Sequence, residues 1–435
     1  MTKKRNKVSL ITLGCARNLV DSEVLLRQLR ASGFETEHDP LQVDGGSVII
    51  NTCGFINDAK EESVETILQF AAARKAGKIE KLVVMGCLPQ RYRNELEAEI
   101  PEVDRFYGVK DLQAVVETLK GTYHPELLME RELTTPGHYA WVKISEGCDR
   151  SCAFCSIPAI RGKHISRPAD EIIREVKLLA GKGVKEIMLI AQDLSWYGHD
   201  LNIPHALAGL LERLVEIQGI EWIRLHYAYP AAFPWEILPL MRQNPRICNY
   251  LDIPFQHISD SVLKMMRRGY DENDVRRFVT RFREEVPGIV LRTTLLTGHP
   301  GESEKDFEKL LDFVRDTRFE RVGVFPYSHE EGTLAGEDYE DEIPEKEKKS
   351  RAERIISVQR DISYELNRKK IGTQLRVLID RKEGASLIAR TEFDSPEVDQ
   401  EVLIVGNPDL KPGDFVQVSI TGAGPYDLTA IPVQS

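Results

Sequence analysis

The sequence predicts an α/β chain with a Rossmann-like N-terminal domain, a partial (β/α)6 barrel and a small C-terminal antiparallel β-barrel of OB-like size. Through about residue 335, short β-branched segments alternate with amphipathic helical segments, a pattern typical of parallel sheets. From about residue 371 onward, short strand-like segments follow one another with Gly, Pro and Asp turns between them. We therefore expect three domains, at residues 1–130, 134–367 and 368–435.

Three strand-like segments of the N-terminal domain each end in a cysteine. The segments are Val8–Cys15, Val48–Cys53 and Leu82–Cys87, and a helical pattern follows each of them. Because ligands of parallel α/β sheets bind at the carboxyl ends of strands, the three thiols are expected at one edge. We interpret them as ligands of a [4Fe-4S] cluster that leaves one iron without a protein ligand. The alternative is three packed, inert core thiols.

Two polar residues follow the first of these cysteines at the start of a predicted helix. Asn18 and Asp21 are expected to cap this helix, and a position near the cluster is the alternative.

The middle domain repeats strand–helix units, which predict an open (β/α) barrel with its site at the carboxyl ends of the strands. The candidate strands are Tyr139–Ile144, Glu186–Ala191, Trp222–Tyr227, Tyr250–Ile253, Ile289–Leu296 and Arg321–Phe325.

A second cysteine array follows the first barrel strand. Cys148, Cys152 and Cys155 form a Cys-x3-Cys-x2-Cys pattern in a loop. Three thiolates on a four-iron cluster leave one iron open to a small chelating molecule. A structural zinc site would need a fourth ligand, but the next histidine, His164, is nine residues beyond Cys155 and has no partner pair.

The C-terminal part begins with an acidic segment, Glu337–Glu342, which we expect to be a solvated linker, and a long helix at Glu345–Lys369. The five predicted barrel strands are Leu375–Ile379, Ser386–Ala389, Val402–Val405, Phe415–Ile420 and Tyr426–Ala430. From residue 371 onward there are ten acidic and five basic residues. This excess argues against direct RNA binding and favours a basic protein as partner.

The composition restricts where such a chain can act. The net charge is −11 and no stretch approaches the length of a membrane span, so neither a nucleic-acid-coating protein nor a membrane protein is expected. Seven cysteines, six of them in the two arrays, suit metal-bound thiolates in a reducing cytoplasm better than disulfides.

The three-part layout and both cysteine triplets resemble the radical S-adenosylmethionine (SAM) methylthiotransferase family along nearly the whole chain. The segments Ser9–Glu23 and Asn51–Ile56 are similar to the branch of the family that modifies a ribosomal protein. The resemblance implies that Cys15, Cys53 and Cys87 hold an auxiliary cluster. It also implies that Cys148, Cys152 and Cys155 hold the cluster that binds SAM, and that the C-terminal barrel is a TRAM domain. His299 departs from the bulky apolar residue that is common at its position.

The same resemblance implies an activity. The chain would add a methylthio group to the β-carbon of an aspartate in the twelfth protein of the small ribosomal subunit, using SAM as both radical source and methyl donor. Its partners would be this basic protein, an electron donor such as flavodoxin or ferredoxin, and a sulfur donor. A transfer RNA adenosine methylthiotransferase and a non-catalytic iron–sulfur or zinc module are the alternatives.

Other polar residues stand at predicted strand ends in the barrel. Gln192 and Gln256 are candidates for hydrogen bonds to SAM, with loop polars that bind no ligand as the alternative. Arg292 is expected to face the barrel and pair with a carboxylate. The remaining candidates are His226, His257 and His299, which could serve acid–base chemistry but by default are structural, and Cys248, which is expected to be a packed thiol.

Overall fold

The computed structural model describes residues 6–43, 45–406 and 409–433. Its N-terminal part is a five-stranded parallel sheet in the order β2-β1-β3-β4-β5 with helices α1–α4. Its elements are β1 (Lys7–Thr12), α1 (Ala16–Ala31), β2 (Glu35–His38), β3 (Ser47–Thr52), α2 (Asn57–Lys75), β4 (Lys81–Gly86), α3 (Cys87–Glu99), β5 (Arg105–Tyr107) and α4 (Leu112–Thr118).

The sequence indicated only three of these strands. β1, β3 and β4 are apolar runs buried on both faces, as parallel strands covered by helices are. The two edge strands gave no such signal, because β2 has the polar sequence Glu-Thr-Glu-His and β5 has only three residues.

The middle part is a six-stranded parallel sheet in the order β13-β12-β11-β10-β9-β6, whose first and last strands do not pair, so the barrel is open. Its elements are β6 (Tyr139–Lys143), β7 (Ser145–Glu146), α5 (Ile157–Arg161), β8 (Ile165–Ser166), α6 (Ala169–Gly181), β9 (Glu186–Ile190), α7 (Ala206–Leu214), β10 (Trp222–Leu225), α8 (Ile237–Gln243), β11 (Ile247–Asp252), α9 (Asp260–Met265), α10 (Glu272–Glu285), β12 (Val290–Thr297), α11 (Glu304–Thr317), β13 (Arg321–Pro326), α12 (Leu334–Asp338) and α13 (Glu345–Arg368). The six predicted strands are all present, which confirms the expected architecture.

The acidic segment 337–342 is only partly the linker that was expected. Its first residues end helix α12, and Asp341 pairs with the buried Lys348 at 2.6 Å. The pair connects the segment to the start of α13, which packs along β13.

The C-terminal part is a closed five-stranded barrel in the order β14-β15-β16-β18-β17. Its strands are β14 (Gln374–Glu383), β15 (Ser386–Thr391), β16 (Glu401–Val405), β17 (Phe415–Ala423) and β18 (Asp427–Pro432). Four of its strand pairs are antiparallel as predicted. The fifth pair, β16 with β18, is parallel, because the intervening strand β17 runs in the opposite direction to β18.

The loop between β15 and β16, residues 392–400, lies against the inner face of the open barrel. Arg224 on β10 alternates with Ile223 and Leu225, which pack in the helix-facing core, so it points to the opposite face. There Arg224 donates to the Glu392 carbonyl at 2.7 Å, and Tyr250 on β11 donates its hydroxyl to Asp399 at 2.7 Å. The small barrel therefore closes the inner face of the larger one.

This interface uses at least half of the acidic residues of the C-terminal barrel. Five of the ten contact the larger barrel, namely Asp380, Glu392, Asp394, Glu397 and Asp399. The acidic surface that the sequence indicated for binding a basic protein is correspondingly smaller.

Candidate active site

The three N-terminal cysteines lie together at one edge of the first sheet. Cys15 follows β1, Cys53 follows β3 and Cys87 begins α3 directly after β4, and these three strands are neighbours. A Cβ atom on Gly14 would lie 2.7 Å from the Cβ and 3.1 Å from the Sγ of Cys53, and Gly14 has a φ of +92°. Only glycine fits there, so the backbone closes tightly around the thiols.

The donor set at this edge fits an iron–sulfur cluster. Burial raises the pKa of Cys87 to about 12 even though the Arg161 guanidinium opposes the shift. Burial also acts to raise the pKa of Cys15, but the charges of Arg17 and Arg161 and nearby backbone amides outweigh it, so this pKa is lowered. Buried thiols of this kind lose their protons when a metal binds.

No three His, Cys, Asp or Glu side chains within residues 6–43, 45–406 and 409–433 converge closely enough to hold a single metal ion. A four-iron cluster does not need such convergence, because each of its thiolate ligands binds a different iron.

The second triplet occupies the loop between β7 and α5. The Cys148 sulfur accepts from the Arg150 amide at 3.4 Å, and the Cys152 sulfur accepts from Arg268 Nη1 at 3.2 Å. Burial raises the pKa of Cys155 to about 12. Because N–H donors directed at sulfur favour the thiolate, the loop suits a cluster ligand set.

A glycine fixes the entry of this loop. Gly147 has a φ of +77°, and a Cβ atom there would lie 2.0 Å from the Lys163 carbonyl oxygen. No other residue fits this turn, which directs Cys148 toward the carboxyl ends of the barrel strands.

A partly buried ion-pair network links the first triplet to the strand that precedes the second. Arg161 Nη1 lies 2.9 Å from Asp21 and 3.2 Å from Glu146, and Lys143 Nζ lies 2.5 Å from Asp21 and 2.6 Å from Glu146. The other nitrogen of Arg161, Nη2, lies 3.6 Å from the Cys87 sulfur. Arg161 therefore bridges one cysteine triplet and the strand that precedes the other.

The expected helix caps, Asn18 and Asp21, belong to this network instead. Helix α1 already begins at Ala16, so both residues lie inside it. The Asn18 amide donates to the Leu13 and Thr52 carbonyls at 2.9 and 3.0 Å, and its oxygen accepts from Arg161 at 2.5 Å. The capping prediction was wrong, and the alternative position near the thiols is the observed one.

The two glutamines are placed differently. Gln192 Nε2 donates to Glu146 at 2.8 Å, while its buried Oε1 has no hydrogen-bond partner among the described residues. Gln256 has a φ of +70°, and its backbone pairs with β12. Gln192 thus keeps an acceptor for a ligand, and the assignment of both residues to SAM stays a prediction.

Three other candidates are held in contacts within the barrel. Arg292 faces the barrel as predicted and pairs with Asp252 at 3.1 Å. His226 is buried, 3.5 Å from Asp252, with Nε2 3.0 Å from the Ser395 hydroxyl. Cys248 is fully buried, also as predicted.

His299 is a buried, neutral histidine beside the second triplet. Its Nδ1 donates to the Pro300 carbonyl at 2.9 Å, and its ring contacts Phe154 and Tyr327 edge-on, at 6.3 and 5.3 Å between centroids. Burial lowers the pKa of His299 to about 4. The imidazole thus fills an apolar position among aromatic rings.

Replacing His299 with leucine should reduce the pH dependence of stability. Between about pH 6.5 and 4 the unfolded chain binds a proton that the folded chain does not, so stability falls as the pH falls through this window. On lowering the pH from about 7.5 to 5, the wild-type apoprotein should lose about 2 kcal/mol more than the leucine variant. Denaturant unfolding at both pH values measures this difference. Equal losses of stability in the wild type and the leucine variant would contradict the lowered pKa of His299.

Comparisons with known proteins agree with this architecture. Residues 142–314 match the Radical SAM superfamily, residues 7–108 match the Uncharacterized protein family UPF0004, and residues 371–433 match the TRAM domain. The fold resembles the radical S-adenosylmethionine methyltransferase TsrM from Kitasatospora setae, with a TM-score of 0.55 at 15% identity, covering 76% of this chain and 74% of that one. The open barrel and its cysteine loop thus define a radical SAM enzyme.

Curated relatives identify the family within this class. Ribosomal protein uS12 methylthiotransferase RimO of Porphyromonas gingivalis is 54% identical over 429 residues, 98% of this chain and 99% of the relative. The RimO proteins of Bacteroides thetaiotaomicron and Flavobacterium johnsoniae are 54% and 51% identical, each over 98% or more of both chains. The chain belongs to the RimO family of radical SAM methylthiotransferases, enzymes whose cofactors are two [4Fe-4S] clusters and SAM.

Among the described helices, none has the length together with the hydrophobicity that a membrane span requires.

Proposed function

We propose that the chain methylthiolates the β-carbon of an aspartate in ribosomal protein uS12, with SAM as both radical source and methyl donor. The full-length identity to uS12 methylthiotransferases supports this substrate. The contact that supports a joint role for the two triplets is the Arg161 bridge, 3.6 Å from Cys87 and 3.2 Å from Glu146. Glu146 lies two residues before Cys148. A reaction that activates a carbon and then adds sulfur needs both triplets at one chamber, and this bridge lies between them.

The proposed ligands are Cys15, Cys53 and Cys87 for the auxiliary cluster and Cys148, Cys152 and Cys155 for the cluster that binds SAM. When bound, these groups supply the radical chemistry, the sulfur and the methyl group. The chain itself holds the thiolates, orients them with the hydrogen bonds from Arg150 and Arg268, and supplies Gln192 Oε1 as a buried acceptor. The small barrel covers the inner face and excludes water.

We infer three domains at 1–130, 134–367 and 368–435: a methylthiotransferase domain, a radical SAM domain and a TRAM domain. The first boundary is supported by the connection between α4, which ends at Thr118, and β6, which begins at Tyr139. The second is supported by the end of α13 at Arg368.

We also infer partner proteins, because the reaction consumes electrons and sulfur. An electron donor such as flavodoxin or ferredoxin and a sulfur donor would supply them. All seven cysteines are free, which supports a reducing compartment such as the cytoplasm.

An assay with two substrates tests the proposed function. The purified, anaerobically reconstituted chain should methylthiolate a uS12 peptide that contains the acceptor aspartate, detected by mass spectrometry, and should leave a transfer RNA anticodon stem-loop unmodified. A peptide with asparagine at the acceptor position is the control. Modification of the stem-loop alone would overturn the proposal.

A further inference from the structure

Arg17 reaches from the N-terminal sheet to the rim of the larger barrel. It follows Cys15 by two residues, and its Nη1 donates to the Ala191 carbonyl at 2.8 Å. Its guanidinium lies 4.8 Å from the centroid of the Tyr227 ring. Ala191 follows β9 and Tyr227 lies just beyond β10, so both contacts are at the carboxyl ends of strands, where barrel enzymes bind their substrates.

The backbone under this contact is strained. Tyr227 has a φ of +62°, a left-handed conformation that is uncommon for a residue other than glycine, asparagine or aspartate. Strain of this kind persists where the surrounding structure enforces it, and it collects at ligand sites. Here it accompanies the stacking of the tyrosine ring against Arg17.

Lys143 and Arg161 lie within ion-pair distance of carboxylates, whereas Arg17 is attracted by Cys15 and, more weakly, by Glu146 without a direct ion pair to either among the described residues. Lys143 and Arg161 share Asp21 and Glu146. Within the described ranges, Arg17 forms no ion pair with a carboxylate, and the edge formed by its Nε and Nη2 donates to no protein atom. Arg17 is only partly buried.

A guanidinium edge with two parallel N–H donors matches the two oxygens of a carboxylate. We propose that Arg17 binds the side-chain carboxylate of the acceptor aspartate. The inference rests on the proposed function, in which the carbon that gains sulfur is bonded directly to that carboxyl group. Binding at Arg17 would place the carbon beside Cys15 and discriminate aspartate from asparagine, which presents only one acceptor oxygen.

A role limited to Cys15 is the competing explanation, because the Arg17 charge also favours the Cys15 thiolate. The two roles differ in what they change. Loss of a substrate contact weakens binding of the aspartate peptide and spares the iron content, whereas loss of a thiolate partner reduces the iron content and leaves the peptide preference intact.

The test measures peptide binding by fluorescence anisotropy with reconstituted wild type, Arg17→Met and Arg17→Lys. The ligands are uS12 peptides with aspartate or asparagine at the acceptor position. Wild type should bind the aspartate peptide about 10- to 100-fold more tightly than the asparagine peptide, as expected for charge-assisted hydrogen bonds. Arg17→Met should abolish this preference, and Arg17→Lys should keep part of it, with the iron content of all three unchanged.

The matched control is Arg213→Met, the same substitution on the outer helix α7, where the arginine pairs with Asp170. It should keep the full preference. If Arg17→Met keeps the preference, or loses iron while keeping it, the assignment of Arg17 falls although the proposed function stands. If wild type does not modify the aspartate peptide at all, the proposed function falls, and the Arg17 assignment with it.

Discussion

Replacing Cys53 with alanine is expected to abolish methylthiolation while the enzyme still cleaves SAM to 5′-deoxyadenosine. Cys53 follows β3, the middle strand of the three that present the N-terminal thiols, and its Cβ lies against Gly14. Its loss leaves two thiolates, too few to hold the cluster. Iron and sulfide per chain should fall by about half, since the other triplet is untouched.

Two other cysteine substitutions serve as matched controls. Cys148→Ala should also remove about half of the iron but should abolish SAM cleavage. Cys248→Ala alters a buried thiol that lies outside both triplets, packed with Trp222 and Tyr250. It should keep the full iron content and both activities. Methylthiolated product from the Cys53→Ala enzyme, measured by mass spectrometry alongside deoxyadenosine, would show that the auxiliary ligand set is assigned wrongly.

The two cysteine triplets could be predicted because their signal is local. Cys15, Cys53 and Cys87 each stand directly after an apolar run, and the edge at which parallel strands end follows from the fold class alone. The Cys-x3-Cys-x2-Cys array needs no tertiary information at all. Both triplets were therefore identified from residues within about ten positions of each cysteine.

The network between the triplets could not be predicted in this way. Asp21 meets Arg161 across 140 positions of sequence, and Lys143 meets Asp21 across 122. Near the start of a helix an aspartate or asparagine most often caps it, so local reasoning chose the wrong role for Asn18 and Asp21. Arg17 was missed for a similar reason, since its contacts with Ala191 and Tyr227 arise only when the two domains meet.

The charge of the C-terminal barrel shows the same limit. Counting residues gave its acidic excess correctly, but a count cannot tell an exposed carboxylate from one that pairs across an interface. Asp394, which pairs with Arg321, and Asp380, which pairs with His138, belong to the second kind. The composition thus predicted a binding surface where part of the charge stabilises the assembly of the domains.

The largest expected effect on stability comes from Arg390→Met at this interface. Arg390 lies 2.8 Å from Glu186 and 2.6 Å from Asp380, with exposed side-chain fractions of 2%, 0% and 10% for the three residues. Methionine fills the volume but leaves these carboxylates underpaired in a buried site. Removing one partner of a buried pair costs about 3–5 kcal/mol, so for a chain of 435 residues the midpoint of thermal unfolding should fall by about 3–6 °C.

Comparing the stability of Arg390→Met with that of Arg381→Met over a range of pH distinguishes the loss of this interface from the general effect of losing an arginine. Arg381 pairs with Glu383 and Glu401 on the exposed surface of the same barrel, where ion pairs contribute less than about 1 kcal/mol. Burial acts to raise the pKa values of Glu186 and Asp380, but Arg390, together with Arg224 at Glu186 and His138 at Asp380, outweighs it and holds both low. Their stabilisation is present above the unfolded pKa of about 4 and is lost as the pH falls through the lower folded value. The variant lacks this stabilisation, so its deficit relative to wild type should shrink on acidification. A deficit equal to that of Arg381→Met, or one that does not change with pH, would mean that Arg390 does not hold the two barrels together.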